Sequence, residues 1–151
     1  LIIQLSYITI KDYNIRGYML TYVSLDGIPI KIGQSAKEND ILTSTSSPNE
    51  WWMHATGCTG AHVVICYDGD VVPKETRKDA AILAIHHSSA PNEMKMACVD
   101  MVRVGQVKHT KTPGQVMLSG DIHEYTLFRH RENHRLERLK CGYMGAQTDL
   151  S

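Results

Sequence analysis

Two glycines decide what the most distinctive stretch of this chain can become. Gly57 and Gly60 interrupt "WWMHATGCTGAHVVIC", Trp51 to Cys66, in which His54, Cys58, His62 and Cys66 recur at every fourth residue. On a helix that spacing would align four zinc-type ligands along one face. Each glycine costs a helix interior about 1 kcal/mol relative to alanine, and Val63, Val64 and Ile65 favour strands. The segment is therefore expected to fold as strand, glycine turn, strand. His54 and His62 then stand near the two ends of one turn and close together, Cys58 sits at its tip, and Cys66 runs into the sheet. Alternation along a strand sends Trp51 and Trp52 to opposite faces. Chemically, three uses stay open: a metal site, a Cys58 nucleophile with an imidazole base, and a surface of aromatic and imidazole groups for nucleic acid. The third is favoured, with no catalytic residue, metal or cofactor assigned.

The rest of the chain is punctuated in the same way. Tyr18–Ser24 and Ile28–Ile32 are β-branched and aromatic runs joined around Asp26-Gly27, a hairpin signal. Ser35 followed by Glu38 three residues on predicts a capped helix from Ala36 to about Ser44, broken at Pro48-Asn49. Trp51–Ala55 and His62–Tyr67 are strands, and Pro73–His87 carries its apolar residues at helical spacing. Met96–Val107, Val116–Ser119 and Glu124–Phe128 are β-like, with "KTPGQ" as a turn. Arg131–Lys140 is a charged helix anchored by Leu136 and Leu139, and Gly142 onward is expected to fray. This order predicts an α+β fold, a mostly antiparallel sheet with about three helices. The expected organisation is an N-terminal extension over residues 1–17, a domain over 18–130, and a charged helix and tail over 131–151.

Charge and cysteine use narrow the setting. The net charge is zero, yet residues 1–102 carry eight Lys and Arg against eleven Asp and Glu, while residues 103–140 carry eight against four. The C-terminal quarter is thus the basic region, suited to polyanion contact. The four cysteines show no CxxC pair and no signal peptide is visible, which points to an intracellular location, cytoplasmic or in an organelle. Leu1 is not an initiator methionine, so the chain is expected to start downstream of something removed or left out, for which a targeting peptide and another domain are both open. No apolar run approaches the ~18 residues of a membrane span.

Five segments in register carry a resemblance. "IGQSAKENDILT" (Ile32–Thr43) is similar to G-x-N-x-x-Q-N-D-x-L-T of the NFACT-R domain family. "NEWWMHATGCTGAHVVI" (Asn49–Ile65) resembles that family's N-D-x-W-L-H followed by P-G-S-H-V-x-I. "AAILAIHHSSA" (Ala80–Ala90), "VDMVRV" (Val99–Val104) and "KTPGQVML" (Lys111–Leu118) are similar to its A-A-x-L-A-A-x-x-S, V-D-Y-T-x-x-K-x-V and K-P-G-x-V-x-Y. The departures are Ser35 for Asn, Glu38 for Gln, Glu50 for Asp, Thr59 for Pro and Ala61 for Ser. The resemblance covers about residues 18–119. It implies an RNA-binding module, of the kind found at the C-terminal side of ribosome quality-control factors and as a stand-alone protein, the latter being expected here.

The resulting expectation is binding of RNA, rRNA or tRNA, in a ribosome-associated or ribonucleoprotein context, with other protein subunits as further partners. By resemblance, Asn39, Asp40, Trp52, His54, Gly60 and His62 occupy the motif positions. Trp51 is expected to stack on bases, which is worth ~1–3 kcal/mol per base. His54 and His62 would hydrogen-bond backbone or ribose, and Lys108, Lys111, Arg129 and Arg131 would meet phosphates. Asn39 and Asp40 are expected to brace a neighbouring loop. Two alternatives remain: a non-catalytic structural or assembly subunit that retains the fold, and an RNA-processing hydrolase using His54 and His62.

Overall fold

In the computed structural model, residues 19–150 are described, with side chains to residue 141; the extension over residues 1–17 lies outside them. Eight strands and three α-helices follow in the order β1 (Leu20–Val23), β2 (Pro29–Gly33), α1 (Ala36–Thr45), β3 (Trp51–Ala55), β4 (His62–Ile65), α2 (Lys74–His86), β5 (Met96–Arg103), β6 (Val107–His109), β7 (Val116–Leu118), β8 (His123–Phe128) and α3 (Arg129–Leu150). A 3-10 turn, Val104–Gln106, bends the chain from β5 into β6. The fold is α+β, as the sequence predicts. Helix α3 runs to Leu150.

Six strands form one sheet in the order β1-β2-β4-β3-β5-β8, and β6 pairs with β7 in a separate hairpin. All pairings are antiparallel. Alternation sorts the side chains into two cores. Tyr22, Ile30, Ile32, Trp51, Met53, Val63, Ile65, Val99 and Met101 pack on one face with Ala80, Leu83 and Ala84 of α2 and Leu139 of α3. Trp52, Val64 and Val102 face the other way and pack with Leu42 of α1, Val104 and Val107. The adjacent tryptophans do lie on opposite faces.

Polar residues fix the helix ends. The Ser35 hydroxyl accepts from the Glu38 N–H at 3.1 Å, capping α1. Serine thus serves where the family pattern has asparagine, an equally good cap. Helix α2 begins after Pro73 without a cap of its own. Asp26, from the β1–β2 turn, supplies one: its carboxylate accepts from the Thr76 N–H at 3.0 Å and the Thr76 hydroxyl at 2.7 Å. That turn is longer than a two-residue hairpin, since β1 and β2 stop pairing at Val23↔Pro29.

A buried ionic network joins α2 to α3. Asp79 accepts from Arg135 at 3.1 Å and from Arg138 at 2.6 Å and 3.1 Å, and from the Leu25 N–H at 2.9 Å. Glu75 accepts from Arg135 at 2.6 Å, and Glu132 closes the cluster on the same guanidinium. Burial opposes the Arg135 charge, but the bonds to Glu132, Glu75 and Asp79 outweigh it and hold its pKa above the ordinary arginine value.

Candidate nucleic-acid interface

The β3–β4 hairpin builds the site. Met53 pairs with Val63, so the chain from Thr56 to Ala61 loops out beyond the strands. Gly57 takes a φ of +73°, a left-handed conformation that side chains disfavour. Gly60 is needed for a different reason. It bridges to Ser88, and a Cβ added there would lie 2.9 Å from the Ser88 Cβ. The Ala61 N–H donates to the His87 carbonyl at 3.0 Å and the Ser89 N–H to the Thr59 carbonyl at 2.8 Å. The turn is therefore stitched to the segment that follows α2.

His54 and His62 come together as their positions on the hairpin predict, with ring centroids 5.7 Å apart and planes at 83°. His54 lies parallel to the indole of Trp52, 5.7 Å away and tilted by 5°. His62 meets the same indole edge-on at 5.1 Å. His62 is 2% exposed, and its Nδ1 lies 3.1 Å from the Thr43 hydroxyl. Burial, reinforced by its neighbour His54, lowers the His62 pKa to about 4. Burial also lowers that of His54, against the pull of backbone bonds at Ala55 and Gly60 and of Asp100. Both imidazoles are consequently neutral at physiological pH.

Asn39 and Asp40 brace loops, as expected. Asn39 Oδ1 accepts from the His62 N–H at 3.0 Å, and its amide reaches the Gly60 carbonyl at 3.5 Å. The Asp40 carboxylate accepts from the Gly114 N–H at 3.1 Å and lies 3.4 Å from His109 Nδ1, tethering the β6–β7 hairpin to α1. A cleft of about 970 Å³ opens between that hairpin, the Thr56–Ala61 turn and the segment after α2. Trp52, His54, Gly60 and Asp100 are among the residues that line it.

Trp51 is not available for stacking on bases. It is 6% exposed and belongs to the helix-side core. Its indole N–H donates to the Gly69 carbonyl at 2.9 Å, and the Arg103 guanidinium lies 3.9 Å from the ring centroid. Alternation could place it on the face opposite Trp52, but could not show that α2 and α3 cover that face.

The cations do not enter the cleft. Lys108 and Lys111 are exposed on the β6–β7 hairpin, whose residues Thr112–Val116 form one wall. Arg129 donates to the Pro91 carbonyl at 2.6 Å, just beyond the Ser88–Ser89 wall. Arg131 sits over the Phe128 ring at 4.6 Å. Asp100 was not among the candidate residues. It pairs across the ladder with His54, and its place on the His54 face follows from the alternation of Val99 and Met101 into the core. Among the described residues, no group of three or more His, Cys, Asp and Glu is placed to hold a metal ion. Nor is any described helix long and apolar enough to cross a membrane.

The site is thus a braced aromatic and imidazole cleft on one face of an antiparallel sheet, with lysines outside it. Residues 18–125 match the family described as the NFACT protein RNA binding domain, and the chain belongs to that family. It is similar to the Rqc2 homolog RqcH of Bacillus subtilis (strain 168), at 29% identity over 89 residues, 58% of this chain and 15% of that protein. It is also similar to the C-terminal structure of the fibronectin/fibrinogen-binding protein from Streptococcus suis, with a TM-score of 0.63 and 32% identity over 73% of this chain and 44% of that one. The chain thus spans well under two thirds of either relative.

Proposed function

We propose that this domain binds RNA, rRNA or tRNA, within a ribosome-associated or other ribonucleoprotein assembly in the cell. The observation that carries the reading is the family match over residues 18–125, with Asn39, Trp52, His54, Gly60 and His62 of its motif positions all at one cleft. The cleft supplies an aromatic-backed imidazole, His54, and hydrogen-bonding groups. Lys108 and Lys111 beside it meet phosphates, and Arg129 and Arg131 extend the basic rim. His62 and Asn39 shape the wall, and Trp51 supports the sheet from behind.

Phosphate contact makes affinity fall linearly on a log–log salt plot, by about 0.7 per neutralised phosphate for single strands. Binding of a short single-stranded RNA should therefore weaken steeply with salt. Lys108→Ala and Lys111→Ala should each reduce that slope by up to about 0.7 if each contacts one phosphate. Salt-independent or absent binding would sink the reading.

A second reading is favoured by one surface. Met96 and Phe128 face each other across the β5–β8 ladder at 51% and 38% exposure, beside exposed Met94. Such a patch suits contact with another protein, and hence an assembly subunit. Co-purification with a defined complex that survives nuclease treatment would support this reading over the first.

A further inference from the structure

The cleft is chemically unlike the surface around it. None of its lining residues is lysine or arginine, and Asp100 lies within it. Its three histidines, His54, His62 and His87, are all held by burial below the ordinary imidazole pKa. No group in the cleft therefore offers a phosphate a counter-charge, and a carboxylate repels one. The cations stand outside it. A nucleotide meeting this site with its phosphates on the lysines must turn its base inward.

Three features describe what that base has to offer. The Asp100 carboxylate makes no hydrogen bond or ion pair among the described residues, so both its oxygens remain acceptors. It stands beside His54, its partner in the β3–β5 register. The His54 ring, backed by the parallel indole of Trp52, supplies an aromatic surface of the kind unpaired bases stack on. Trp52 is 2% exposed, and its Nε1–H is the one buried side-chain polar atom among the described residues with no hydrogen-bond partner. That donor is buried, so the aromatic surface the cleft presents is the His54 ring with the Trp52 indole behind it. The volume, about 970 Å³, is at the upper end for a small-molecule pocket and holds a whole nucleotide.

We propose that the cleft takes one unpaired guanine of the bound RNA, its Watson–Crick N1–H and N2–H groups donating to the Asp100 carboxylate while its ring lies against His54. Guanine is the RNA base that presents two adjacent donors on that edge, matching the two oxygens of a carboxylate. Adenine and cytosine present one exocyclic amine each, and uracil one ring N–H. This inference rests on the RNA-binding reading and adds which base is read, and by which residue.

The test uses oligouridine strands carrying one central guanosine, inosine, adenosine or cytidine, titrated against the full chain and Asp100→Asn. Inosine keeps N1–H but lacks the exocyclic amine. The guanosine strand should bind tightest, by about tenfold or more over inosine, as expected for one bidentate base contact. Asp100→Asn should erase that preference while preserving the salt slope and the thermal unfolding midpoint. Equal affinity for all four strands, or a guanosine preference that survives Asp100→Asn, overturns the guanine pocket and leaves RNA binding standing. No binding to any strand, with no change in the Trp52 and His54 NMR signals on adding free guanosine, overturns both.

Discussion

Replacing Trp51 with alanine separates packing from contact. Its ring lies in the helix-side core, under Arg103. Trp51→Ala should cost about 3–5 kcal/mol of unfolding free energy, the usual range for emptying a buried tryptophan site. A fully stable Trp51→Ala domain in chemical denaturation would contradict that placement. His62 sets a pH limit. Its folded pKa, about 4, lies below the unfolded value of 6.5. Above pH 6.5 both states are neutral and the fold keeps its full stability. As pH falls from 6.5 toward 4 the unfolded chain takes up a proton that the folded one refuses, so stability drops by on the order of 3 kcal/mol. His62→Gln should flatten this part of the stability–pH curve, and an unchanged curve would contradict the assignment. Gly60 has no room for a side chain against Ser88. Gly60→Ala should therefore cost about 1–3 kcal/mol by forcing the turn away from the wall.

The connection between α2 and α3 is where the ionic network matters. Asp79 has no exposed side-chain surface and serves both Arg135 and Arg138. Asp79→Ala removes the buried carboxylate shared by both guanidiniums, leaving Arg135 only Glu75 and Glu132, and breaking a buried pair in this way typically costs about 3–5 kcal/mol. A loss below about 1 kcal/mol in denaturant titration would show the pair to be effectively solvated. None of this was legible in the chain as written. Leu136 and Leu139 marked the inner face of α3, but "RENHRLERLK" reads as a solvated stripe until α2 is known to lie against it. The hairpin was more legible. Gly57 and Gly60 excluded a helix, and that alone brought His54 and His62 together. Asp26-Gly27 marked a turn correctly, while the Asp26 bond to Thr76 depends on a contact between elements far apart in sequence. Local signals fixed periodicity and turns; which face each element covers is decided by tertiary packing.

Taken whole, the domain separates its duties between the two faces of one sheet. The helix-side face carries most of the core and the ionic network. The other face carries α1, the β6–β7 hairpin and the cleft, with its neutral interior and its basic surroundings. Asn39, Asp40 and Gly114 hold that second face in shape. The sequence brought His54 and His62 together on this hairpin but misjudged the exposure of Trp51, because a tryptophan beside a glycine turn gives no sign of what will cover it. Ultraviolet crosslinking of the full chain to short single-stranded RNA, with the modified peptides mapped by mass spectrometry, tests this arrangement most directly. Crosslinks should fall on the Thr56–Ala61 turn, on Thr112–Val116 and around Asp100. Crosslinks confined to the α2–α3 face, or no RNA recovered at all, would contradict it.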